Sequence, residues 1–332
     1  MLIIRPWIDQ LLVFLAPMVG VTDLPFRRLA YSFGAPATVS EMVASQELAS
    51  GRSVALARAI VDRTMGPAIV QIAARDPHWF AEGARIATDA GADALDINFG
   101  CPAKKVTGGA GGAALMRDLD HARWCVAAVV AATSKPVSVK MRLGWDEDSL
   151  NAPEIAKAAQ GEGACRIAVH GRTRKQFYTG SANWRAIHAT KNSVSVPVVA
   201  NGDIDGPDAA TAALEESGAD GVMVGRAALG QPWILGQIAD RLAGRPERRA
   251  PNLGETRDAV LGFYEHSLEF YGPVWGVRMA RKHLAAFIDR QEAFGNAARR
   301  RELRAVICSL DDSQAVKRAL REAYARAEEV CA

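Results

Sequence analysis

Between residues 11 and 228 the chain repeats one pattern, in which a short apolar run is followed by a polar or glycine-containing corner and an alanine-rich helical stretch. The pattern occurs eight times, with starts roughly 24 to 43 residues apart. Short apolar strands that alternate with helices are typical of a parallel sheet buried on both faces. Eight such units favour an α/β fold of the (β/α)8 TIM-barrel type over an open doubly wound sheet. The apolar runs are 11–15, 37–40, 68–71, 94–97, 137–140, 167–169, 198–200 and 222–224.

The organisation changes after residue 243. Residues 244–252 form a charged linker punctuated by prolines, and residues 253–329 have a helical pattern. The sequence therefore predicts a barrel domain over 1–243, a linker over 244–252 and a small C-terminal helical domain over 253–332. Residues 278–304 contain eight Lys or Arg and three Asp or Glu, which gives this stretch a net charge of +5. A charged stretch of this size is ordinarily a solvent-exposed helix face, and the alternative is a surface that binds nucleic-acid phosphates.

Composition excludes several classes of protein. The 332 residues are 49% hydrophobic and 23% charged, which is typical of a globular protein with a large core. No run has the ~18 apolar residues of a membrane helix, and residues 1–10 lack the pattern of a secretory signal, so a cytoplasmic location is expected. Five scattered cysteines without a CxxC pair predict neither a disulfide framework nor a metal site. A net charge of +3 does not by itself indicate nucleic-acid binding.

Polar side chains stand at the carboxyl ends of most predicted strands, where barrel active sites are built. An unpaired Lys140 or His170 at the end of an apolar run would be costly to bury, so an anionic or electron-rich ligand would satisfy both. A single buried histidine such as His170 is more often a core residue whose ring nitrogens are hydrogen-bonded within the protein. Lys140 could pair with Glu41. The residues at the strand ends are, in order, Pro17 with Met18, Glu41, Gln71, Asn98 with Cys101, Lys140 with Arg142, His170 with Arg172, Asn201 with Asp203, and Gly225 with Arg226.

Two corners and one loop carry more specific signals. The corners at 201–203 and 225–228 follow the last two strands, where barrels frequently bind a phosphate through backbone N–H groups. The glycine-rich stretch 109–114 does not come directly off a strand, so it is not a dinucleotide fingerprint and instead predicts the start of a helix over 113–122. Cys101 is either a small core hydrophobe, as most free cysteines are, or a thiol presented at a strand end.

Six segments taken together are distinctive, and they occur in one order over most of the chain. They are APMVGVTD at 16–23, DINFGCPAKKV at 96–106, VKMRLGW at 139–145, HGRTRKQFYTG at 170–180, NGDI at 201–204 and GRAALGQPW at 225–233. This set resembles the bacterial dihydrouridine synthase family, flavin enzymes that reduce uridine in transfer RNA, and is most similar to its B-type subgroup. The stretch 281–283 is similar to the family's RNA-binding helical domain, whereas 284–287 lacks the bulkier aromatic stretch of relatives.

The resemblance implies FMN at the barrel mouth, NADPH as electron donor and the D-loop of tRNA as substrate, with neither a membrane nor an obligate protein partner. The implied reaction transfers a hydride from FMN N5 to C6 of uracil and a proton from Cys101, the general acid, to C5. The implied cofactor ligands are Pro17, Met18, Gln71, Lys140, His170, Asn201, Gly202, Asp203, Gly225 and Arg226. The implied contacts with uracil or RNA are Asn98, Lys104, Arg142, Arg172, Tyr178, Arg281 and Lys282.

Three other functions are compatible with parts of the pattern. An FMN barrel that reduces a small pyrimidine or enone would share the strands and the flavin, but would not need the basic helical domain. An aldolase would use Lys140 as a Schiff-base lysine. A non-catalytic RNA-binding module would bind no flavin.

Overall fold

The computed structural model describes residues 12–331. Leu11, the first residue of the first predicted strand, and residues 1–10, considered above for a secretory signal, lie outside the described residues. Nine parallel strands form one sheet. They are β1 Val13–Leu15, β2 Ala37–Val39, β3 Val43–Ala44, β4 Ala68–Ala73, β5 Ala94–Phe99, β6 Val137–Arg142, β7 Arg166–His170, β8 Val198–Asn201 and β9 Gly221–Val224.

Eight of these strands close into a barrel. β2 pairs with both β1 and β4, and β1 pairs with β9, so the ring runs β1-β2-β4-β5-β6-β7-β8-β9 and returns to β1. The short strand β3 adds a second segment beside β4. The predicted (β/α)8 barrel is confirmed, and all strands point their carboxyl ends to one mouth.

Helices surround the barrel, and three more follow it. Around the barrel lie α1 Leu24–Ser32, α2 Ser45–Ala49, α3 Ser53–Arg58, α4 Pro77–Asp89, α5 Lys104–Thr107, α6 Leu119–Ala132, α7 Ala152–Gly161, α8 Ile187–Ser193, α9 Pro207–Ser217 and α10 Ile234–Leu242. The C-terminal helices are α11 Leu253–Arg290, α12 Ala297–Ser309 and α13 Ser313–Cys331, and three 3-10 turns are Gly112–Arg117, Arg226–Ala228 and Glu292–Phe294. In the described part of the chain no helix is long and apolar enough to cross a membrane.

The helix predicted over 113–122 is wrong in its bounds. Residues Gly112–Arg117 form a 3-10 turn, and α6 begins only at Leu119, because the Asp118 side chain accepts a hydrogen bond from the His121 N–H and caps a new helix. Gly112 has φ +58, and a Cβ there would lie 2.8 Å from the carbonyl oxygen of Cys101. The glycine-rich stretch therefore packs directly under the Cys101 loop.

The helix α4 starts at Pro77, and the Asp76 side chain before it does not cap it. The Asp76 carboxylate instead lies 3.2 Å from Nε of Arg75. The cap of α11 is stronger, since Asn252 and Glu255 form a reciprocal capping box. α11 is itself two helical segments, because Gly272 has a left-handed φ of +78 and Pro273 follows it.

The hydrophobic core consists of three apolar clusters. The first lies between β4–β8 and their helices. The second joins β1, β9 and α1 to the C-terminal helices. The third and smallest is formed by residues of the barrel strands, among them Phe14 and Met223. In the second cluster, the ring of Phe26 in α1 lies 6.4 Å from that of Phe263 and 4.6 Å from that of His283, both in α11. The C-terminal helices are thus packed onto the barrel through a shared hydrophobic core.

Candidate active site

A cavity of ≈ 790 Å³ opens at the carboxyl ends of the strands. The fold brings most of the predicted site residues together there, although they come from seven separate corners of the sequence. The predicted residues that line the cavity are Pro17, Met18, Gln71, Asn98, Cys101, Lys140, Arg142, His170, Tyr178, Asn201, Gly202, Asp203, Gly225 and Arg226.

One side of the cavity is built from neutral groups linked by hydrogen bonds. We call Gln71, Asn98 and the loop of Gly100 and Cys101 the amide wall. Asn98 Nδ2 donates to Gln71 Oε1 over 2.8 Å, and Asn98 Oδ1 accepts from the backbone N–H of Cys101 over 2.9 Å and from that of Gly100 over 3.2 Å. Asn98 therefore holds the Cys101 loop against the end of β5.

The amide wall is anchored inside the barrel by an acid that the sequence interpretation missed. Gln71 Nε2 donates to Asp96 Oδ2 over 2.7 Å, and Ser138 Oγ donates to Asp96 Oδ1 over 2.6 Å. Complete burial raises the pKa of Asp96. Because Asp96 accepts from Gln71, the Gln71 oxygen must face Asn98, and the orientation of both amides follows.

The part of the cavity at the ends of β6, β8 and β9 carries positive charge. We call Lys140 and Arg226, with their acceptors Asn201 and Asp203 and the buried Arg172 that holds Asp203, the cationic wall. Asn201 Oδ1 accepts from Lys140 Nζ over 2.9 Å, and Asn201 Nδ2 donates to the carbonyl oxygen of Met223 over 2.7 Å. Burial, together with the neighbouring Arg142 guanidinium, lowers the pKa of Lys140 to about 8. The pairing of Lys140 with Glu41 was a wrong alternative, because Glu41 accepts from the Gly20 N–H and lies beside Arg58.

His170 contacts the cationic wall with one nitrogen and the cavity with the other. Its Nδ1 lies 2.8 Å from Asn201 Oδ1. Burial and the nearby Lys140 lower the pKa of His170 well below its usual value, so the ring is neutral. Since Asn201 Oδ1 can only accept, the hydrogen is on Nδ1 and Nε2 is an acceptor. In the described part of the chain this buried Nε2 has no partner, which leaves it available to a ligand.

Arg172, for which the resemblance implies a contact with uracil or RNA, is not among the residues that line the cavity. Its guanidinium is buried and holds the Asp203 carboxylate through contacts of 2.5 and 3.0 Å. It also donates to the carbonyl oxygens of Thr179 and Gly180. Arg226, whose side chain is 56% exposed, also contacts Asp203, with its Nη2 3.2 Å from Oδ1. Two guanidinium groups share one carboxylate, so this corner keeps a net positive charge.

Arg142 joins the loops that flank the cavity. Its Nε donates to the carbonyl oxygen of Gly100, and its Nη1 donates to those of Thr173 and Phe177, each over 2.9 Å. Its guanidinium also lies 5.5 Å from the ring of Tyr178, a half-exposed side chain at the cavity mouth. Arg142 thus positions the Cys101 loop relative to the loop after β7.

The chain matches the family model described as Dihydrouridine synthase (Dus) over residues 14–328. It belongs to the dihydrouridine synthase family. It is 51% identical over 95% of its length to the "Probable tRNA-dihydrouridine synthase" of Rhodobacter capsulatus, covering 95% of that protein. The protein of the same name from Rhizobium leguminosarum bv. phaseoli is 49% identical over 84% of this chain and 85% of its own length. The "tRNA-dihydrouridine synthase B" of Xanthomonas axonopodis pv. citri is 49% identical over 82% of each chain.

Membership of the dihydrouridine synthase family confirms the predicted enzyme class, a flavin-dependent oxidoreductase. The presence of a B-type synthase among the similar proteins agrees with the predicted subgroup. Among the described residues, no group of three or more His, Cys, Asp or Glu is placed to hold a metal ion.

Some residues that the family resemblance implicated in RNA contacts lie outside the cavity. Lys104 is exposed at the start of α5, next to the cavity-lining Ala103. Arg281 donates to the carbonyl oxygen of Leu310 and to Asp311, which neutralises part of the basic stretch 278–304. Lys282 donates to the carbonyl oxygen of Gly20 over 2.9 Å, at the rim of the barrel.

Arg290 is a cavity-lining residue of this dihydrouridine synthase that the sequence interpretation did not include. It stands at the end of α11, lines the cavity and donates to the carbonyl oxygen of Leu229 over 2.8 Å. No local motif marks it, because its place at the mouth depends on how α11 lies across the barrel. The helical domain therefore supplies part of the cavity wall itself.

Proposed function

We propose that this protein is a tRNA-dihydrouridine synthase that uses FMN and NADPH to reduce the C5=C6 bond of uridine in the D-loop of tRNA. The observation that carries the proposal is the Cys101 thiol, half-buried on the cavity wall in a loop that Asn98 holds in place. The names of the similar synthases support tRNA as the substrate. A cytoplasmic location belongs to the same proposal.

The residues of the cavity fit FMN. The cavity is large enough for a flavin, since ligand pockets commonly have about 300–1,000 Å³. Lys140 offers a buried ammonium to an electron-rich ring edge, and the unpartnered Nε2 of His170 accepts a hydrogen bond from an N–H or hydroxyl group. The net positive corner at Arg226 suits a phosphate. Because Nε2 of His170 is an acceptor, we assign it to a donor group of the cofactor and leave the phosphate to Arg226.

Bound FMN, once reduced by NADPH, supplies the hydride that adds to C6 of the uracil. Cys101 supplies the proton that adds to C5, so one hydride and one proton account for the two hydrogens gained. General acid catalysis of this kind contributes about 10²–10⁴-fold to a rate.

The amide wall supplies neutral groups for the uracil. The Nδ2 of Asn98 gives one hydrogen to Gln71 and keeps the other for a carbonyl oxygen of the base. A stacked uridine cannot enter the cavity, so the base must be flipped out at a cost of a few kcal/mol. Contacts between the basic helical domain and RNA phosphates would offset this cost, and we expect tRNA binding to weaken steeply with salt.

Mass spectrometry of nucleosides tests the proposal directly. Bulk tRNA that lacks dihydrouridine is incubated with NADPH and the flavin-loaded protein, and the wild type is compared with Cys101→Ala. We expect uridine to gain two mass units with the wild type and the product to form at least a hundredfold more slowly with Cys101→Ala. Cys308→Ala is the matched control, since this half-buried thiol lies in α12, away from the cavity.

The amount of bound flavin is measured by absorbance in each variant. Equal flavin content with lost activity in Cys101→Ala assigns the thiol to the chemical step. The proposal would be contradicted if the tRNA stayed unmodified while the protein still oxidised NADPH in the presence of a small enone. That result would favour a small-molecule reductase.

A further inference from the structure

A tryptophan lies in solvent on the helix that borders the cavity. Trp275 is 62% exposed, and the guanidinium carbon of Arg278 lies 5.4 Å from the centre of its ring. Gly276, Val277 and Ala280 on the other side of the same segment are buried against the core. The indole is therefore not part of the packing of α11, and its surface is available to a partner.

The position of Trp275 on the helix relates it to the active-site cavity. Trp275, Arg278, Lys282 and Arg290 are spaced by three, four and eight residues, which places them along one side of α11. Lys282 and Arg290 rest on the barrel rim through the carbonyl oxygens of Gly20 and Leu229. At 1.5 Å per residue, Trp275 lies about 10 Å along the helix beyond Lys282.

The break in α11 at Gly272 determines where the row of Trp275, Arg278, Lys282 and Arg290 begins. The left-handed Gly272 and the following Pro273 start a new helical segment, so Trp275 stands in its first turn. A molecule that reaches from the cavity across Lys282 would next meet Arg278 and Trp275. The row of side chains thus continues the cavity rim outward.

We propose that Trp275 and Arg278 form a stacking platform for one nucleobase of the tRNA, outside the cavity that takes the reacting uridine. This inference rests on the proposed function. Aromatic rings bind bases through their faces and tolerate any base, while a neighbouring guanidinium contributes a cation–π contact and pairs with phosphate. The platform therefore anchors the RNA strand without reading its sequence.

Charge and size favour RNA over a protein partner on this surface. The guanidinium of Arg278 lies beside the indole, and Lys282 adds a second positive charge further along the same side of the helix; both complement a phosphate backbone. Among the described residues 273–290, the large exposed hydrophobic side chains are Val274 and Trp275. A stable protein interface needs about 1,000 Å² or more of buried surface, which two side chains do not provide.

The test compares Trp275→Ala, Trp275→Tyr and the wild type with the same tRNA, using the flavin-loaded full-length protein. We expect Trp275→Ala to raise the tRNA KM and the directly measured dissociation constant by about 5- to 150-fold, as loss of one base–aromatic stack predicts. The kcat at saturating tRNA and the rate of flavin reduction by NADPH without tRNA should not change. Trp275→Tyr should restore most of the affinity, since a phenol ring also stacks.

Trp124→Ala is the matched control, because Trp124 in α6 is 55% exposed and lies away from the cavity. It should leave tRNA affinity unchanged. The inference is overturned if Trp275→Ala binds tRNA within twofold of the wild type. It is also overturned if this substitution changes the sedimentation coefficient of the free protein, which would assign the surface to a second copy of the chain. A wild type that binds tRNA but never modifies it would contradict the proposed function and leave the platform to be judged by the binding data alone.

Discussion

The two walls of the cavity satisfy their polar groups in opposite ways. On the amide wall, Asn98 and Gln71 bond to each other, and the chain of hydrogen bonds ends on a buried acid and on the Cys101 loop. Arg226 of the cationic wall remains largely exposed, and Nε2 of the adjoining His170 has no partner in the described structure.

This contrast separates two tasks. A wall whose amides are already paired is rigid, and in the proposed function it holds the reacting base and the thiol in fixed geometry. The cationic wall has excess positive charge and lies beside one unpaired acceptor, Nε2 of His170, and in the proposed function FMN supplies a phosphate to the charge and a hydrogen-bond donor to Nε2. The comparison predicts that changes on the amide wall reduce turnover, whereas changes on the cationic wall reduce stability or cofactor affinity.

The largest effect is expected from Arg172→Leu on the cationic wall. The substitution removes the buried partner of Asp203 and the donors to the carbonyls of Thr179 and Gly180. Breaking a buried ion pair costs about 3–5 kcal/mol, and we expect a loss of about 3 kcal/mol here because Asp203 is 31% exposed. Urea unfolding measures the change in the free energy of unfolding.

Arg226→Leu is the matched substitution on the exposed side of Asp203. Because Arg226 is largely exposed, its removal should change the free energy of unfolding by less than about 1 kcal/mol while weakening FMN binding. Similar losses of stability in both variants would show that the buried and exposed guanidinium groups do not differ in role.

A smaller effect is expected from Asn98→Ala on the amide wall. The backbone N–H groups of Gly100 and Cys101 then lose their acceptor, at a cost of about 1–3 kcal/mol, and the Cys101 loop is no longer fixed. We expect the single-turnover rate to fall about 10- to 100-fold, with the dissociation constant of FMN within twofold of the wild type. If Asn98→Ala lowered the FMN affinity by a larger factor than the rate, the claim that the two walls have separate tasks would be contradicted.

Asn98→Asp serves as the control for that substitution. It keeps an acceptor for both N–H groups, but its second oxygen faces Gln71 Oε1, and the contact becomes favourable only when the acid carries a proton. Activity should therefore recover as the pH is lowered, in contrast to a flat profile for Asn98→Ala.

The smallest effect is a pH dependence of FMN binding through Lys140. Its pKa in the free protein is lowered to about 8, and a bound electron-rich group raises it again by favouring the ammonium. FMN affinity should thus be constant below pH 8 and decrease above it, by at most about tenfold per pH unit. Fluorescence titrations between pH 6.5 and 9.5 measure this, and Lys140→Met should bind more weakly with no step near pH 8.

The barrel was predictable from the sequence because each of its strands is buried on both faces and reads as a short apolar run. The helix over 113–122 was not, because Asp118 can be an interior helix residue or a cap, and only its bond to the His121 N–H decides. Similarly, Asp76 stands at the cap position of α4, but its carboxylate lies beside Arg75 and does not cap the helix. Local sequence patterns predicted which helices and strands form, whereas the hydrogen-bond partner that each capping side chain chooses determines where the helices begin.

The strand-end rule predicted the lining of the cavity but not the roles within it. Arg172 and Arg226 both follow strands, yet one is buried beneath Asp203 and the other faces the mouth, a difference that depends on loops far apart in the chain. Asp96 lies inside β5 and Arg290 at the end of α11, so neither stands at a strand end. Their contributions arise from the closure of the barrel and the docking of the helix.

The hydrophobic core shared by α1, β1, β9 and the C-terminal helices constrains how such a protein can be recombined in evolution. Phe26 packs against Phe263 and His283 across the two parts of the chain. If the gene were divided within 244–252, the barrel would lose the C-terminal helices and expose the apolar surface that they cover on α1, β1 and β9. Exchange of the C-terminal part between relatives therefore requires matching substitutions in α1, so the two parts are expected to evolve together.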